Sequence, residues 1–177
     1  MICLGPLGKP SVLGMKPLTE HDIRASFVNS TKGEAKRMHV PRDLGDRTWD
    51  DLDFLGWTDP AAPDRSYLVI ELDGRPTGIA LRRAQQAGRA RKTMCSWCLT
   101  THSGDGVSLM SARKAGKSGQ LGNSVGVYVC ADLQCSLYLR GKKNAGPGSR
   151  FKESLTIDEQ VERMVAGIGA FLGRVNS

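Results

Sequence analysis

The chain has 177 residues, of which 40% are hydrophobic and 24% charged. This length suits one domain of ordinary size, and the hydrophobic share favours a folded protein over a disordered one. No apolar run approaches the roughly 20 residues that cross a bilayer. The first 14 residues lack the basic start and uninterrupted apolar core of a signal peptide. We therefore expect a cytoplasmic protein in which residues 1–14 form a flexible tail.

Positive charge is concentrated in one part of the sequence. The formal net charge is +7, but residues 82–152 alone carry 13 basic and 2 acidic side chains, a net charge of +11. Residues 1–81 and 153–177 each carry a net charge of −2. We call residues 82–152 the basic segment. Such segregation predicts an anionic partner, for example nucleic acid, ribonucleoprotein or an acidic protein surface, although a solvated basic face has the same composition.

The first half of the chain predicts two short helices followed by a β-hairpin. Thr19 is a good helix cap, with acidic residues in the turn that follows, and a second helix is expected over residues 32–38. We interpret residues 49–63 as an ordered loop that packs Trp49, Phe54 and Trp57 on the core. Strands are expected at 66–72 and 77–83, joined by an Asp-Gly turn, with a polar connection at 85–92.

The second half alternates strands with glycine-rich segments and ends in a helix. Strands are expected at 107–112 and 125–129, a mobile loop at 114–126, a short helix at 133–140 and a loop at 141–149. Thr156 and Glu159 form a capping-box pattern before an apolar stripe that extends to Leu172. Together these elements predict an α+β fold in which residues 15–177 form one domain, with a helical and hairpin lobe at 15–92 and a zinc-binding lobe at 93–177.

Four cysteines in two pairs are the clearest chemical signal. Cys95 and Cys98 are separated by two residues, and Cys130 and Cys135 by four. A two-residue spacer lets both sulfurs of a knuckle reach one ion, and one helical turn can aim the second pair at the same point. A knuckle, a hairpin and then ligands at a helix start form a treble-clef finger. We predict one structural Zn²⁺ with four thiolate ligands, and Cys3 as a free thiol.

Other chemistries fit the cysteines less well. Disulfides are disfavoured without a secretion signal, a thioredoxin-like pair requires no second pair, and the spacings differ from common ferredoxin patterns. Four thiolates leave no coordination position for water, which argues against a catalytic metal. Nucleoside deaminases require a His-x-Glu motif, but His39 is followed by Val40 and Pro41, so this class of enzyme is excluded. His102 leaves open a metal-dependent nuclease that uses it as general base, although no second histidine follows on a helix, and we expect instead an ordinary exposed loop histidine. The Gly-Lys-Ser at 116–118 lacks the first glycine of a phosphate loop.

Several motifs together resemble one protein family. They are Arg-Pro-Thr-Gly-Ile-Ala-Leu-Arg at 75–82, Met-Cys-Ser-Trp-Cys at 94–98, Gly-Asn-Ser-Val-Gly-Val-Tyr-Val-Cys at 122–130 and Asp-Leu-Gln-Cys at 132–135. This combination is similar to the C-terminal treble-clef domain of the FusB-type elongation factor G-binding proteins, over most of residues 16–175. The chain departs from the pattern in two ways: it has room for only two short helices before the hairpin, and Ser96 stands where resistance proteins carry an aromatic residue.

The resemblance implies a zinc-stabilised binding protein and not an enzyme. Family members bind elongation factor G, and some release it from ribosomes stalled by fusidic acid. We therefore expect elongation factor G or the translating ribosome as partner, with a translation-factor release or fusidic-acid-tolerance role, and direct RNA or DNA binding as the alternative. The candidate contact residues on the finger and its basic loops are Trp97, Arg113, Lys114, Lys117, Tyr128, Tyr138, Arg140, Lys142 and Lys143. For Tyr128 and Tyr138, core packing is an equally good expectation.

Overall fold

A five-stranded antiparallel sheet forms the centre of the molecule. The computed structural model describes residues 14–85 and 92–177. The order of the strands in the sheet is β1-β2-β3-β6-β7, and β4 and β5 form a separate two-stranded ribbon. The strands are β1 (Phe54–Asp59), β2 (Ala62–Leu72), β3 (Arg75–Arg83), β4 (Thr93–Met94), β5 (Thr101–His102), β6 (Val107–Arg113) and β7 (Ser124–Cys130). Because β3 pairs with β6, the sheet contains strands from both predicted lobes.

The predicted hairpin is confirmed, and a strand that we did not predict lies beside it. Asp73 and Gly74 have φ angles of 50° and 73°, as a tight two-residue hairpin turn requires. The expectation of a loop at 49–63 is wrong, because residues 54–59 pair with β2 along the sheet edge. Gly56, Pro60 and Pro63 had masked this strand in the sequence. The burial of Trp49, Phe54 and Trp57 is confirmed, with exposed fractions of 2–7%.

Two short helices precede the sheet and cover part of one face. They are α1 (Glu20–Ala25) and α2 (Lys32–Arg37), and each starts with a capping box, from Thr19 and Thr31 respectively. Between the helices, Phe27 packs edge-on against Trp57 and Tyr67. Both predicted helices are therefore confirmed.

The segment predicted as a mobile loop at 114–126 is largely ordered. It contains a short helix, α3 (Gly116–Gln120), and the first residues of β7. The backbone N–H of Ala115 donates to the carbonyl of Val175, 2.8 Å away, and thereby fixes this segment to the end of the last helix. Its glycine content had suggested mobility, but Gly119 is required for packing, since a Cβ there would lie 1.7 Å from the Lys114 carbonyl oxygen.

The last two helices complete the finger side of the molecule. The short helix α4 (Cys135–Leu139) and the long helix α5 (Ile157–Asn176) lie where the sequence predicts helices. The Thr156–Glu159 capping box is confirmed. The apolar stripe of α5 is buried along its length, although Ile157 at its start is 44% exposed.

Strand alternation gives the sheet two distinct faces. Gly56, Leu68 and Ile79 stand opposite one another and share one face, which we call the finger face. Trp57, Tyr67, Ala80 and Arg82 lie on the opposite side, which we call the outer face. A single hydrophobic cluster includes residues from α1 to α5. Among the described residues, no helix combines the length and the apolar character needed to span a membrane.

Candidate metal centre and its surroundings

Four cysteine sulfurs converge at one buried point. The Sγ atoms of Cys95, Cys98, Cys130 and Cys135 all lie within 4.8 Å of one another, and all four residues are fully buried. Two of the separations are 3.7 Å, between Cys95 and Cys135, and 3.5 Å, between Cys98 and Cys130. The two cysteine pairs of the sequence therefore form one cluster.

The first pair is held by a tight turn between β4 and β5. The backbone N–H of Cys95 donates to the carbonyl of Thr100 at 2.9 Å, and that of Leu99 donates to the carbonyl of Cys95 at 3.0 Å. Leu99 adopts a φ of 56°, a left-handed conformation that is uncommon for a residue with a side chain. Backbone strain of this kind costs about 1–3 kcal/mol and persists only where the surrounding structure enforces it.

The second pair is also held by a turn that contains a leucine in the left-handed conformation. Cys130 ends β7, Cys135 begins α4, and Leu133 between them has a φ of 56°. The side chain of Leu133 is 1% exposed and packs against Gly56 on the finger face. A Cβ at Gly56 would lie 2.4 Å from the Leu133 Cβ, so only glycine lets the cysteine loop approach the sheet this closely.

The donor set fits Zn²⁺. With Zn–S bonds of about 2.3 Å, the sulfurs of a regular tetrahedron are separated by about 3.8 Å, close to the Cys95–Cys135 and Cys98–Cys130 separations of 3.7 and 3.5 Å. Hydrogen bonds from Cys130 and Cys135 lower the pKa of the Cys98 thiol. Hydrogen bonds to Cys130 and to the other two thiols, together with burial, raise the pKa of the Cys135 thiol well above its ordinary value. Without a metal, the four thiols therefore cannot all ionise together. A bound dication stabilises all four thiolates at once.

Hydrogen-bonding groups surround the cluster. The His102 Nε2 lies 3.3 Å from the Cys130 Sγ, and the Thr100 Oγ1 lies 3.3 Å from the Cys98 Sγ. The His102 ring is packed edge-on against the Tyr138 ring, and the Tyr138 hydroxyl donates to Asp132 at 2.9 Å. His102 is only 6% exposed, so the expectation of an exposed loop histidine is wrong. Its Nε2 contacts the Cys130 sulfur and its ring contacts Tyr138, which gives His102 a structural role beside the cluster.

Trp97 belongs to the core and not to the surface. It is 3% exposed, and its ring is 6.0 Å from the rings of both Phe54 and Phe171. Gly167 of α5 makes room for it, since a Cβ there would approach the Trp97 Cδ1 to 3.3 Å. The expectation that Trp97 contacts a partner is corrected, because its side chain joins the cysteine turn to β1 and α5.

Two further candidates also have structural roles. Tyr138 is 6% exposed and donates to Asp132, which favours the expectation of core packing. Arg140 forms two hydrogen bonds with Asp53, at 2.6 and 2.8 Å, and the two side chains are 14% and 5% exposed. A guanidinium held in this way is not available to a partner.

The remaining candidates are accessible but spread over different parts of the surface. Arg113 pairs with Glu34 of α2, Lys142 with Asp51, and Lys143 with Asp132. The Lys114 Nζ donates to Ser177, the residue that follows α5. Lys117 is exposed on α3 with no ion pair to the described residues, and Tyr128 is 49% exposed on the outer face. Several acidic partners come from residues 1–81, so folding neutralises part of the charge that is concentrated in the sequence.

Comparison with known proteins places the chain in a family. The family described as "FBP C-terminal treble-clef zinc-finger" matches residues 22–175. The chain belongs to this family. The match confirms the FusB-type resemblance and, with the four converging thiols, the structural zinc. Membership, together with the mixed helices and antiparallel strands, also confirms the predicted fold class.

A solved structure and a sequence search complete the comparison. The chain is similar to the "fusidic acid resistance protein FusC", with 21% identity, a TM-score of 0.44, and coverage of 56% of this chain. The alignment spans 45% of the FusC chain, less than half its length. A search of curated protein sequences gives no match.

Proposed function

We propose that this protein is a zinc-stabilised binding protein that engages elongation factor G or the translating ribosome. The family match over residues 22–175 is the observation that carries the proposal, because the FusB-type resemblance implies that partner. A role in translation-factor release or fusidic-acid tolerance is part of the same proposal.

The metal centre supports binding over catalysis. Four thiolates fill a tetrahedral coordination sphere, so zinc acts here as a cross-link between β7, α4 and the β4–β5 turn. All four cysteines are fully buried, and the surrounding hydrogen bonds hold them in place. We therefore infer a protein without enzymatic activity of its own, in which the metal stabilises the fold that presents the contact surface.

The accessible candidate residues define where contact is proposed. Lys117 lies on α3, which precedes β7, and Tyr128 lies near the end of β7. Lys142 follows α4, and its side chain is 54% exposed. Tyrosine offers a large rigid contact area, and exposed lysines raise the association rate with an acidic partner. Lys143 and Lys114 are accessible as well, and their side chains, like that of Lys142, have polar partners.

Purified elongation factor G and the zinc-loaded chain provide the test. We expect saturable binding that is tighter at low ionic strength, and at least a tenfold weakening in a Lys117→Glu/Tyr128→Ala variant. Lys36→Glu, an equally exposed charge reversal on α2, is the matched control and should bind within about twofold of the parent. Absence of binding to both the factor and the ribosome at low salt would contradict the proposal.

Direct RNA or DNA binding is the second candidate, favoured by the +11 net charge of the basic segment. Arg113, Arg140, Lys142 and Lys143 of that segment are paired with carboxylates, which reduces the charge available to phosphates. This candidate predicts a linear fall of log affinity with log salt concentration, with a slope near the number of phosphates contacted. A steep slope with RNA, without binding to elongation factor G, would favour it over the first proposal.

A further inference from the structure

A cavity with four arginine side chains opens on the outer face of the sheet. Its volume is about 540 Å³, and its lining includes Arg37 of α2, Arg65 of β2, Arg82 of β3 and Arg113 of β6. We call this cavity the arginine groove. None of the four clustered cysteines lines this cavity. Arg65 and Arg82 lie an even number of residues from Tyr67 and Ala80, so their side chains are on the outer face as well.

The groove exists because the sheet is split between two strands. β3 and β6 pair only through Arg82–Ser111 and Arg83–Met110. Beyond this point the side chain of Asn29 enters the gap, where its amide nitrogen donates to the carbonyls of Ala80 and Arg113, both at 3.0 Å. Its oxygen accepts from the N–H of Ala80 at 2.8 Å. The buried amide satisfies the strand backbones while it keeps them apart, so the opening is a built feature of the fold.

Two of the arginines are placed at a cost to the sheet. Arg65 and Arg82 are directly opposite each other on β2 and β3, so their side chains leave the same face as neighbours. Like charges in directly opposite positions destabilise an antiparallel pair. The nearest compensation is Asp64, whose carboxylate lies 3.5 Å from the Arg82 guanidinium in a pair with side chains 46% and 69% exposed. A weak exposed pair of this kind offsets little of the repulsion.

The acidic residues of the groove neutralise only part of its positive charge. Glu34 accepts hydrogen bonds from Arg113 and from the Thr31 backbone, so its carboxylate is already engaged. Asp59 is 9% exposed, and its Oδ1 accepts from the N–H of Ala61. The lining therefore carries four cationic and two anionic side chains. Arg37 and Arg65 form no ion pair with any residue in the described parts of the chain.

We propose that the arginine groove binds a small molecule that carries two or more phosphate groups and is about the size of a nucleoside diphosphate. Guanidinium groups bind phosphate through paired hydrogen bonds, and Arg37, Arg65 and Arg82, on three separate elements, match a ligand with more than one phosphate. Arg113 adds positive charge to the lining, although its guanidinium is paired with Glu34. The volume lies within the range of about 300–1,000 Å³ that is usual for small-molecule sites. Hydroxyls of Ser30, Ser111 and Ser124 line the same cavity and provide hydrogen bonds for an uncharged part of the ligand.

This site is separate from the proposed contact with elongation factor G. None of Lys117, Tyr128 and Lys142, which carry the proposed contact, lines the groove, whereas Arg113, another candidate contact residue, does line it. The two proposals can therefore fail independently, and the binding of elongation factor G serves as a fold control for variants of the groove.

Isothermal titration calorimetry of the full zinc-loaded chain tests the site, with pyrophosphate and ADP as probes. We expect both probes to bind at one site, and an Arg65→Gln/Arg82→Gln variant to lose at least tenfold in affinity. Arg75→Gln, on the same strand but outside the groove, should leave affinity within twofold. Thermal melting of each variant confirms that the chain is folded.

The outcomes that overturn the proposal are specific. One is the absence of binding heat with both pyrophosphate and ADP at about 1 mM, a concentration that detects even weak binding. Another is equal binding by the parent chain and the Arg65→Gln/Arg82→Gln variant. Binding of a single-stranded RNA decamer without binding of ADP or pyrophosphate would also overturn it, since the ligand would then be a polymer backbone.

Discussion

The finger face of the sheet packs apolar side chains and a glycine against the cysteine loops and α5, whereas the outer face presents arginines and serines beyond the cover of α1 and α2. On the finger face, Gly56 meets Leu133 and Phe54 meets Trp97, so the metal site and the sheet form one core. On the outer face, Arg65 and Arg82 stand side by side without strong partners. The packing on the finger face stabilises the fold. The repulsion between the arginines on the outer face destabilises it, and an anionic ligand would relieve that repulsion.

The largest difference between the faces should appear when the metal site is broken. Cys130→Ser removes one of four thiolates, and structural zinc contributes about 10–16 kcal/mol in finger peptides. We expect loss of bound zinc and of the cooperative thermal transition, measured by metal analysis and circular dichroism. Cys3→Ser, which changes a cysteine predicted not to be a ligand, is the control. A Cys130→Ser protein that retains its stability and its binding would disprove a structural role for the metal.

A buried ion pair, Arg140–Asp53, can be compared with the exposed Arg82–Asp64 pair of the outer face. Arg140→Ala leaves the Asp53 carboxylate, 5% exposed, without its partner, and we expect a loss of about 3–5 kcal/mol in the free energy of unfolding. Arg82→Ala removes half of the exposed pair on the outer face and should change the same free energy by less than about 1 kcal/mol. Urea denaturation measures both. Equal effects of the two substitutions would remove the distinction between the faces.

Glycines in the two faces allow a matched steric test. A Cβ at Gly56 would lie 2.4 Å from the Cβ of Leu133, so Gly56→Ala should cost about 1–3 kcal/mol through overpacking. At Gly126 in β7 the nearest atom is the flexible Cδ1 of Leu109, at 3.1 Å. Gly126→Ala should therefore remain within about 0.5 kcal/mol of the parent. Thermal melts of both variants decide the point, and a tolerated Gly56→Ala would show that the cysteine loop can move away from the sheet.

His102 tests the groups around the metal without removing a ligand. Its Nε2 is 3.3 Å from the Cys130 Sγ, and such partners orient and stabilise ligands. His102→Ala should weaken zinc affinity by about 10–100-fold, measured by competition with a chromophoric chelator. His21→Ala, at an exposed position on α1, is the control. Unchanged affinity in His102→Ala would reduce the histidine to a packing role.

The sequence predicts the zinc ligands well because their chemistry is local. Spacing and residue type were sufficient for Cys95, Cys98, Cys130 and Cys135, and the helix cap at Thr19 and the capping box at Thr156 were equally evident. Strand β1 was missed because its glycine and the prolines beyond it oppose a strand assignment, while pairing with β2 overrides that local preference. The roles of Trp97 and Arg140 depend on Phe171 and Asp53, which are distant in the chain, and no local pattern carries that information.

Charge followed the same division between local and distant information. The basic segment was evident from counting, but its neutralisation by Glu34, Asp51 and Asp53 depends on the fold. The arginine groove shows the converse, because Arg37 and Arg65 lie outside the basic segment and only the sheet brings them beside Arg82 and Arg113. Counting charges along the sequence therefore could not predict which basic residues of the finger form ion pairs. It also could not predict that four arginines lie together on the outer face.

The smallest predicted effect addresses the outer face directly. Without ligand, Arg65→Gln removes the repulsion with Arg82 and should raise the free energy of unfolding by about 0.2–1 kcal/mol at low salt. The gain should disappear at 1 M salt, where the screening length is about 3 Å. Arg75→Gln, whose cross-strand neighbour is Leu72, should show no such gain. With saturating pyrophosphate the order should reverse, because ligand binding stabilises the parent and is lost in the variant. A ligand-free Arg65→Gln chain less stable than the parent at low salt would show that the opposed arginines cost the fold nothing.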